Sequence, residues 1–365
     1  METASSTPGR LPDTLGLRFA ARTTGGFDYL RIVLAVAVVY WHTWAVVLAG
    51  IDNPPLWIQI SARAILPVFF GLSGYLVASS LERTAHLPIF LYMRFLRIFP
   101  ALVVETILSA LLLGTLITTL PLSEYFTHPV FLDYFNNLYG NVRYYLPGVF
   151  ENQPYTKVNA SIWTVPFELE CYVALSALYL FGLFRNKWVL LASVLAVGAL
   201  FAWQLRDLPD AEGLVMPGRV LVMGFLFGNV IYKFRESLPA GALVGAVMTV
   251  LTMFLMRHSL SMIPAAFTAA YAAAALGSTN PWRAPIIFNG DYSYGVYLYA
   301  FPIQQLVYWL FESRSLAFNF FCSMLLISLW AAFSWHCVEK PTLKLKRIFE
   351  KKKPAKVPEG AAPAG

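Results

Sequence analysis

Charge is scarce in this sequence. Only 13% of its 365 residues are charged and 58% are hydrophobic, whereas a soluble domain carries about 25% charged residues. Mean hydropathy is +0.60. A chain of this kind must bury most of its outer surface in lipid. Cysteine is scarcer still. Cys171, Cys322 and Cys337 lie in or beside apolar runs, which fits small buried residues better than a disulfide framework or a metal site. HExxH and CxxC patterns are absent. The sequence shows no internal repeat, which weakens the case for an inverted-repeat transporter. Its first 25 residues carry Arg10, Arg18 and Arg22 but no short apolar core with a cleavage site, so no signal peptide is expected.

What is present is a series of apolar windows of membrane length. Ten are read, at 29–49, 59–80, 98–119, 163–184, 188–205, 218–232, 238–256, 259–277, 293–311 and 316–337. The fold expected is an all-α integral membrane protein of about ten transmembrane helices, with both termini cytoplasmic. That orientation puts 19 of the 27 Lys and Arg on the cytoplasmic side and seven outside, with Arg31 inside the first span. The net charge of +7 therefore follows topology and is not a nucleic-acid signal. Three segments result: a cytoplasmic N-terminal stretch 1–28, a transmembrane domain 29–339, and a basic tail 340–365. The tail turns rich in Pro, Ala and Gly, so its end is expected to be disordered and its basic part to contact anionic lipid. The longest outer loop, 120–162, carries ten Tyr and Phe residues between Tyr125 and Tyr155. They suit either a platform for sugar rings or membrane-interface anchors.

The stretch RIVLAVAVVYWH sets Arg31 and His42 eleven residues apart. On a helix that spacing returns to the same face within about 20° and rises about 16 Å. Arg31 then sits near the cytoplasmic end and His42 past the middle of the membrane, where an ionisable group must face protein or a wet cavity. For His42 the options are a structural hydrogen bond between helices, a proton relay, a metal ligand or a general base. The other four histidines fall in loops or near span ends, so no metal set is read. A neutral imidazole kept from water is ready to accept a proton. Arg31 stays protonated and suits an anion entering from the cytoplasm. In FLYMRFLRIFPA, Arg94 and Arg97 are three apart and share a helical face. Alone they read as topology determinants. Together with Arg31, their forked donors could form an inner pocket for a polyphosphorylated donor.

These stretches resemble a known family. FDYLRIVLAVAVVYWH is similar to the Arg-x10-His signature of the acyltransferase-3 family of integral membrane acyltransferases, and RFLRIFPA to its Arg-x-x-Arg element. LPVFFGLSGYLV, NASIWTVPFELECY, FNGDYSYGVYLYAFPIQQ and VEKP agree in order over residues 27–341. The resemblance implies an enzyme of the bacterial inner membrane. It would move an acyl group, usually acetyl, from cytoplasmic acetyl-CoA to a hydroxyl of a glycan or glycolipid reached from outside, with no metal. By motif, His42 is the catalytic histidine, and Arg31, Arg94 and Arg97 serve the donor.

Other motif residues have individual expectations. Glu168 is read as an orienting partner for His42 or the acceptor hydroxyl, against a structural hydrogen bond. Asn159, Ser161 and Trp163 lead into the fourth span and are assigned to the acceptor with Tyr297, although Ser161 also suits a helix cap. Ser73 and Gly74 are expected in helix packing, Asp291 and Ser293 as caps, and Pro341 as the end of the last helix. Asp28 is expected to hold Arg31, and Glu339 to pair with one of the arginines. His42 would act as base in direct transfer or as nucleophile through an acyl-imidazole. The rival functions are a proton-coupled transporter or flippase with His42 as a relay, and a scaffold or sensor.

Overall fold

The computed structural model describes residues 13–21, 25–49, 53–206, 216–282, 284 and 290–346. Most of the N-terminal stretch and the tail beyond 346, with the expectation of disorder there, lie outside these residues. The described residues are helical, with no named strand. The main helices are α1 Gly26–Leu48, α2 Leu56–Thr84, α3 Leu87–Ile117, α4 Val165–Leu180, α5 Lys187–Leu205, α6 Gly218–Lys233, α7 Ala242–Leu255, α8 Ser259–Gly277, α9 Ser293–Phe311 and α10 Leu316–Leu343.

Six of them, α1, α2, α3, α5, α8 and α10, are long and apolar enough to cross a membrane. The shortest, α7, has 14 residues and is about 21 Å long, less than a hydrocarbon core of about 30 Å. Helix α9 has the length but carries the buried Gln304 and Gln305. Local chemistry sets several ends. Asn186 caps α5 by accepting from the N–H groups of Trp188 and Val189, and Ser315 caps α10 through Phe318. Gly182 has φ +73° just beyond α4, so this helix stops short of the window read to 184.

Helices α6 and α8 lie innermost. Of the 16 residues of α6, 13 are buried, and α8 buries a run of alanines from Ala265 to Ala275. Such all-round burial marks a helix surrounded by protein. In contrast, α5 presents Trp188, Leu195, Leu200 and Trp203 outward. The tightest crossing joins α2 to α6 and α8 through glycines. A Cβ on Gly74 would stand 2.0 Å from the Phe225 carbonyl oxygen, one on Gly228 would stand 2.3 Å from that of Gly71, and one on Gly71 would stand 2.4 Å from the Ala270 Cα. Gly74 thus packs helices as expected, since small residues let backbones approach. Ser73, its neighbour, instead faces a cavity.

Two expectations about ends are corrected. Pro341 does not stop the last helix. A π-helical turn at Ser334–Glu339 resets the hydrogen-bond register, and Pro341 falls in the first turn of the segment Lys340–Leu343, where its missing N–H costs little. Helix α3 begins at Leu87, so Arg94 and Arg97 sit inside it, not before it. The loop 120–162 folds into a lobe whose Tyr125, Phe131, Tyr134, Leu146, Val149, Phe150 and Val158 form one core with Ala110 and Ile117 of α3. Several of its aromatics are therefore interior residues, while Tyr139 and Tyr145 remain exposed.

The α2–α6 contact leaves no room for a methyl group. Gly74→Ala should destabilise the protein by about 1–3 kcal/mol, read by thermal unfolding in detergent micelles. Gly198→Ala is the control, because its added Cβ meets only side-chain ends, the nearest being Met223 Cε at 3.0 Å. A loss as large as that of Gly74→Ala there would contradict the packing account.

Candidate functional site

Two cavities lie end to end within the bundle. The inner one, about 420 Å³, is lined from α1 by Asp28 and Arg31, from α2 by residues between Leu66 and Arg83, from α3 by Arg94, Arg97 and Ile98, and from α9 by residues 293–298. The outer one, about 330 Å³, is lined from α1 by Val38, Trp41, His42 and Ala45, from α2 by Ala62, Arg63, Ile65 and Leu66, and from α9 by Tyr297 and Phe301. Along each of these three helices the lining passes in one direction from the first chamber to the second. Leu66 and Tyr297 belong to both walls. Arg31 and His42 therefore occupy separate chambers about 16 Å apart along one helix.

The inner chamber gathers four arginines, and they are not equivalent. Arg31 donates to Asp291 at 3.1 Å and stands 3.9 Å from Asp28. Arg97 donates to the same Asp291 oxygen at 2.7 Å and to Glu339 at 3.3 Å, and its guanidinium lies 5.6 Å from the Tyr294 ring centroid. The expected Asp28 and Glu339 contacts are both present, but Asp291 is the nearer partner of each arginine. Asp291 is not a cap for α9. Its other oxygen accepts from the Ser293 hydroxyl at 2.7 Å, and no side chain caps the helix. Arg94 donates to the Ser80 hydroxyl at 3.3 Å and lies 5.6 Å from the Phe90 ring centroid. Its buried Nε has no hydrogen-bond partner. Arg83 also lines this chamber. Glu168 lies here too, accepting from the Tyr172 hydroxyl, so it shares the arginine chamber, not the wall around His42.

In the outer chamber the His42 ring packs edge-on to Phe301 at 5.0 Å, and its buried Nδ1 has no hydrogen-bond partner. Trp163, Tyr144, Tyr155 and Lys157 complete much of the wall. Tyr297 closes the boundary between chambers. Its hydroxyl meets the Thr164 hydroxyl at 2.7 Å and donates to the Ser161 carbonyl at 2.8 Å. Asn159 is wholly buried. Its amide donates to Glu105 at 2.7 Å and to the Leu298 carbonyl at 3.1 Å, and its Oδ1 accepts from Ser161 N–H at 2.9 Å. Ser161 is therefore not a cap, and Asn159 braces this turn through the Ser161 N–H. Of the four residues assigned to the acceptor, Trp163 and Tyr297 line the outer chamber, whereas Asn159 and Ser161 brace the turn behind it.

Sequence reasoning missed Arg63 and Lys157, which were counted only as outer charges, and Arg83, counted as an inner one. Arg63 carried a usable signal, because it is the fifth residue of the membrane-length window 59–80, in SARAILPVFF. No group of His, Cys, Asp and Glu able to hold a metal occurs among the described residues.

The family model for an acyltransferase domain, acyltransferase-3, matches residues 24–335. An O-acetyl transferase of Shigella phage Sf6 is 30% identical over 338 residues, covering 86% of this chain and 94% of the relative. Nodulation protein 10 of Rhizobium leguminosarum bv. viciae is 26% identical over 361 residues, covering 88% of this chain and 93% of the relative. No solved structure matches the chain.

Burial alone would raise the Asp291 carboxyl, but the guanidiniums of Arg97 and Arg31 and the Ser293 hydrogen bonds hold it down at about 2, below its ordinary 3.8. A carboxylate depressed in the folded state stabilises fully above its unfolded value and loses that contribution as pH falls towards 2. The difference corresponds to about 2 kcal/mol. Wild type should lose this stability between about pH 4 and pH 2 relative to Asp291→Asn, measured by unfolding across that range. Parallel stability curves for the two proteins would refute the role of Asp291 as the shared counter-charge.

Proposed function

The chain belongs to the acyltransferase-3 family, and from that premise we propose that it is a membrane O-acyltransferase. It takes acetyl from cytoplasmic acetyl-CoA and places it on a hydroxyl of a cell-surface or lipid-linked sugar at the outer side. The carrying observation is the pair of chambers that meet at Leu66 and Tyr297, one rich in arginine and the other holding His42. One of the two relatives is an O-acetyl transferase, which supports this reading. The reading includes ten crossings of a bacterial inner membrane with both termini in the cytoplasm, so that the arginine chamber opens inward.

The residues divide the work by their existing partners. Arg31 and Arg97 are already committed to Asp291 and Glu339, so they set a fixed, charge-balanced wall. Arg94 and Arg83 face the same space, and Arg94 keeps a buried donor without a partner. Forked guanidinium donors match phosphate oxygens, so Arg94 is assigned to the phosphates of the donor. The thioester lies towards the Tyr297 boundary. His42 removes the proton from the acceptor hydroxyl as its oxygen attacks the thioester carbon. The C–S bond then breaks, the acetyl ester forms, and CoA leaves as thiolate to take up a proton. Coenzyme A need not cross the membrane.

The test is acetyl transfer from radiolabelled acetyl-CoA to glycan in membranes containing the protein. His42→Ala should lower the rate by about 10²–10⁴-fold. Arg94→Ala should raise the KM for acetyl-CoA by about tenfold or more. Full activity of His42→Ala would remove the histidine from catalysis. Failure to consume acetyl-CoA with any glycan would favour a transporter that uses the same histidine as a relay.

A further inference from the structure

By composition the loop 120–162 suits either a platform for sugar rings or membrane-interface anchors, and its fold divides those aromatics between two places. Tyr125 and Tyr134 are buried inside the lobe. Tyr145 is 50% exposed and lines a cleft of about 690 Å³ together with Glu124, His128, Asp133, Arg143 and Glu151. That volume lies within the roughly 300–1,000 Å³ of small-ligand sites. The transfer proposed at His42 makes no use of this cleft.

The cleft is built of fixed parts. Asn137, itself buried, accepts from the Arg143 N–H at 2.7 Å and donates to the Arg143 carbonyl at 2.9 Å. This pins the chain just before Tyr144 and Tyr145. The Arg143 guanidinium donates to Asp133 and, at 2.7 Å, to the Asn141 side chain, and the other Asp133 oxygen accepts from Asn136 at 2.6 Å. His128 accepts from the Val130 N–H through Nδ1 at 3.2 Å, so its ring hydrogen sits on Nε2. One oxygen of Glu151 accepts from the Gly148 N–H at 3.0 Å. Carboxylates, an imidazole and a guanidinium beside a tyrosine face supply the mixed acceptors and donors that sugar hydroxyls need, with a surface for the C–H face of the ring.

The cleft does not stand alone. Tyr144 belongs to its wall and to that of the outer chamber around His42. The Tyr144 carbonyl accepts from the Val158 N–H at 2.8 Å, which ties two segments of the lobe together at that boundary. Gly148 and Glu151 are shared in turn with a third hollow of about 380 Å³, which carries Tyr308 and Trp309 from the end of α9. Three hollows joined by common wall residues match a linear chain of sugars better than a single ring.

We propose that the lobe cleft is a saccharide-binding site, which holds the neutral sugar residues flanking the one that enters the outer chamber. That the sugar in the chamber is acylated rests on the acyltransferase reading, whereas saccharide binding by the cleft does not. The probes are the monosaccharides and linear tetrasaccharides of glucose, galactose, mannose, rhamnose and N-acetylglucosamine, presented as an array to the full-length protein in detergent micelles. At least one tetrasaccharide should bind about tenfold or more tightly than its own monosaccharide, a ratio that one or two added hydrogen bonds support. Tyr145→Ala should remove most of that difference, and Tyr145→Trp, which keeps an aromatic face, should retain it. Glu151→Gln keeps an oxygen for the Gly148 N–H and should lower tetrasaccharide affinity about threefold or more.

Equal or absent binding of monosaccharides and tetrasaccharides by wild type overturns the proposal, as does a length preference that survives in Tyr145→Ala. Length-selective binding without acetyl transfer from acetyl-CoA to any of these glycans keeps the cleft and rejects the enzyme reading. Acetyl transfer at equal rates to short and long glycans, unchanged in Tyr145→Ala, keeps the enzyme and rejects the cleft.

Discussion

Asp291 is the point on which the inner half of the bundle depends. A single carboxylate oxygen accepts from Arg31 of α1 and Arg97 of α3, and Arg97 continues to Glu339 of α10. Three helices and the segment leading into α9 are joined by charges that would be prohibitively costly to bury singly. Ser334 donates to the other Glu339 oxygen at 2.9 Å, which closes the chain of partners at the π-helical turn. That turn has a physical reason in this setting. It places Ser334 and Glu339 together while allowing the helix to continue through Lys340 and Pro341.

Fixing two of the four arginines has a chemical consequence for the other two. An arginine cluster without acids would repel itself and fold poorly. An arginine cluster fully matched by acids would have nothing to offer an anion. Here Asp291 and Glu339 satisfy Arg31 and Arg97, while Arg94 donates to the neutral Ser80 hydroxyl. Arg94 and Arg83 are thereby the arginines of this chamber open to the donor phosphates of the proposed reaction. Glu168, held by Tyr172, keeps one negative group on the same wall, which limits how many anionic groups this space can accept at once.

The parts legible in the sequence were those governed by local periodicity. Helical arithmetic set Arg31 and His42 on one face, and each lines a cavity. Apolar windows marked where helices form, with ends displaced by features that composition does not register, such as the positive φ at Gly182. Contacts between distant segments were not legible. Arg31 and Asp291 are 260 residues apart, and a single chain gives no reason to pair them, so Asp291 read as a cap. Arg63 and Lys157 entered the topology count as ordinary outer charges because charge counting ignores burial. The lobe was legible only in part. Its aromatic composition suits a sugar platform or an interface, but two of its tyrosines are fully buried and form a core.

The boundary between the chambers is held by groups that bind neither chamber's contents directly. Glu105 is buried in α3 and accepts from Ser109 at 2.8 Å and from Asn159 at 2.7 Å. Asn159 in turn holds the Ser161 N–H, and the Ser161 carbonyl accepts from Tyr297. The position of the Tyr297 ring is thus referred back, through the turn at the base of the lobe, to a carboxyl group on α3. Asn159 also grips the Leu298 carbonyl on α9, so helix and turn cannot shift independently. The reaction proposed at this boundary would need such a fixed wall, because errors of about 1 Å in alignment are enough to lose about 10²-fold in rate. Under that reading the requirement accounts for a polar relay whose Glu105, Asn159 and Ser161 are buried, in a chain with few charged residues.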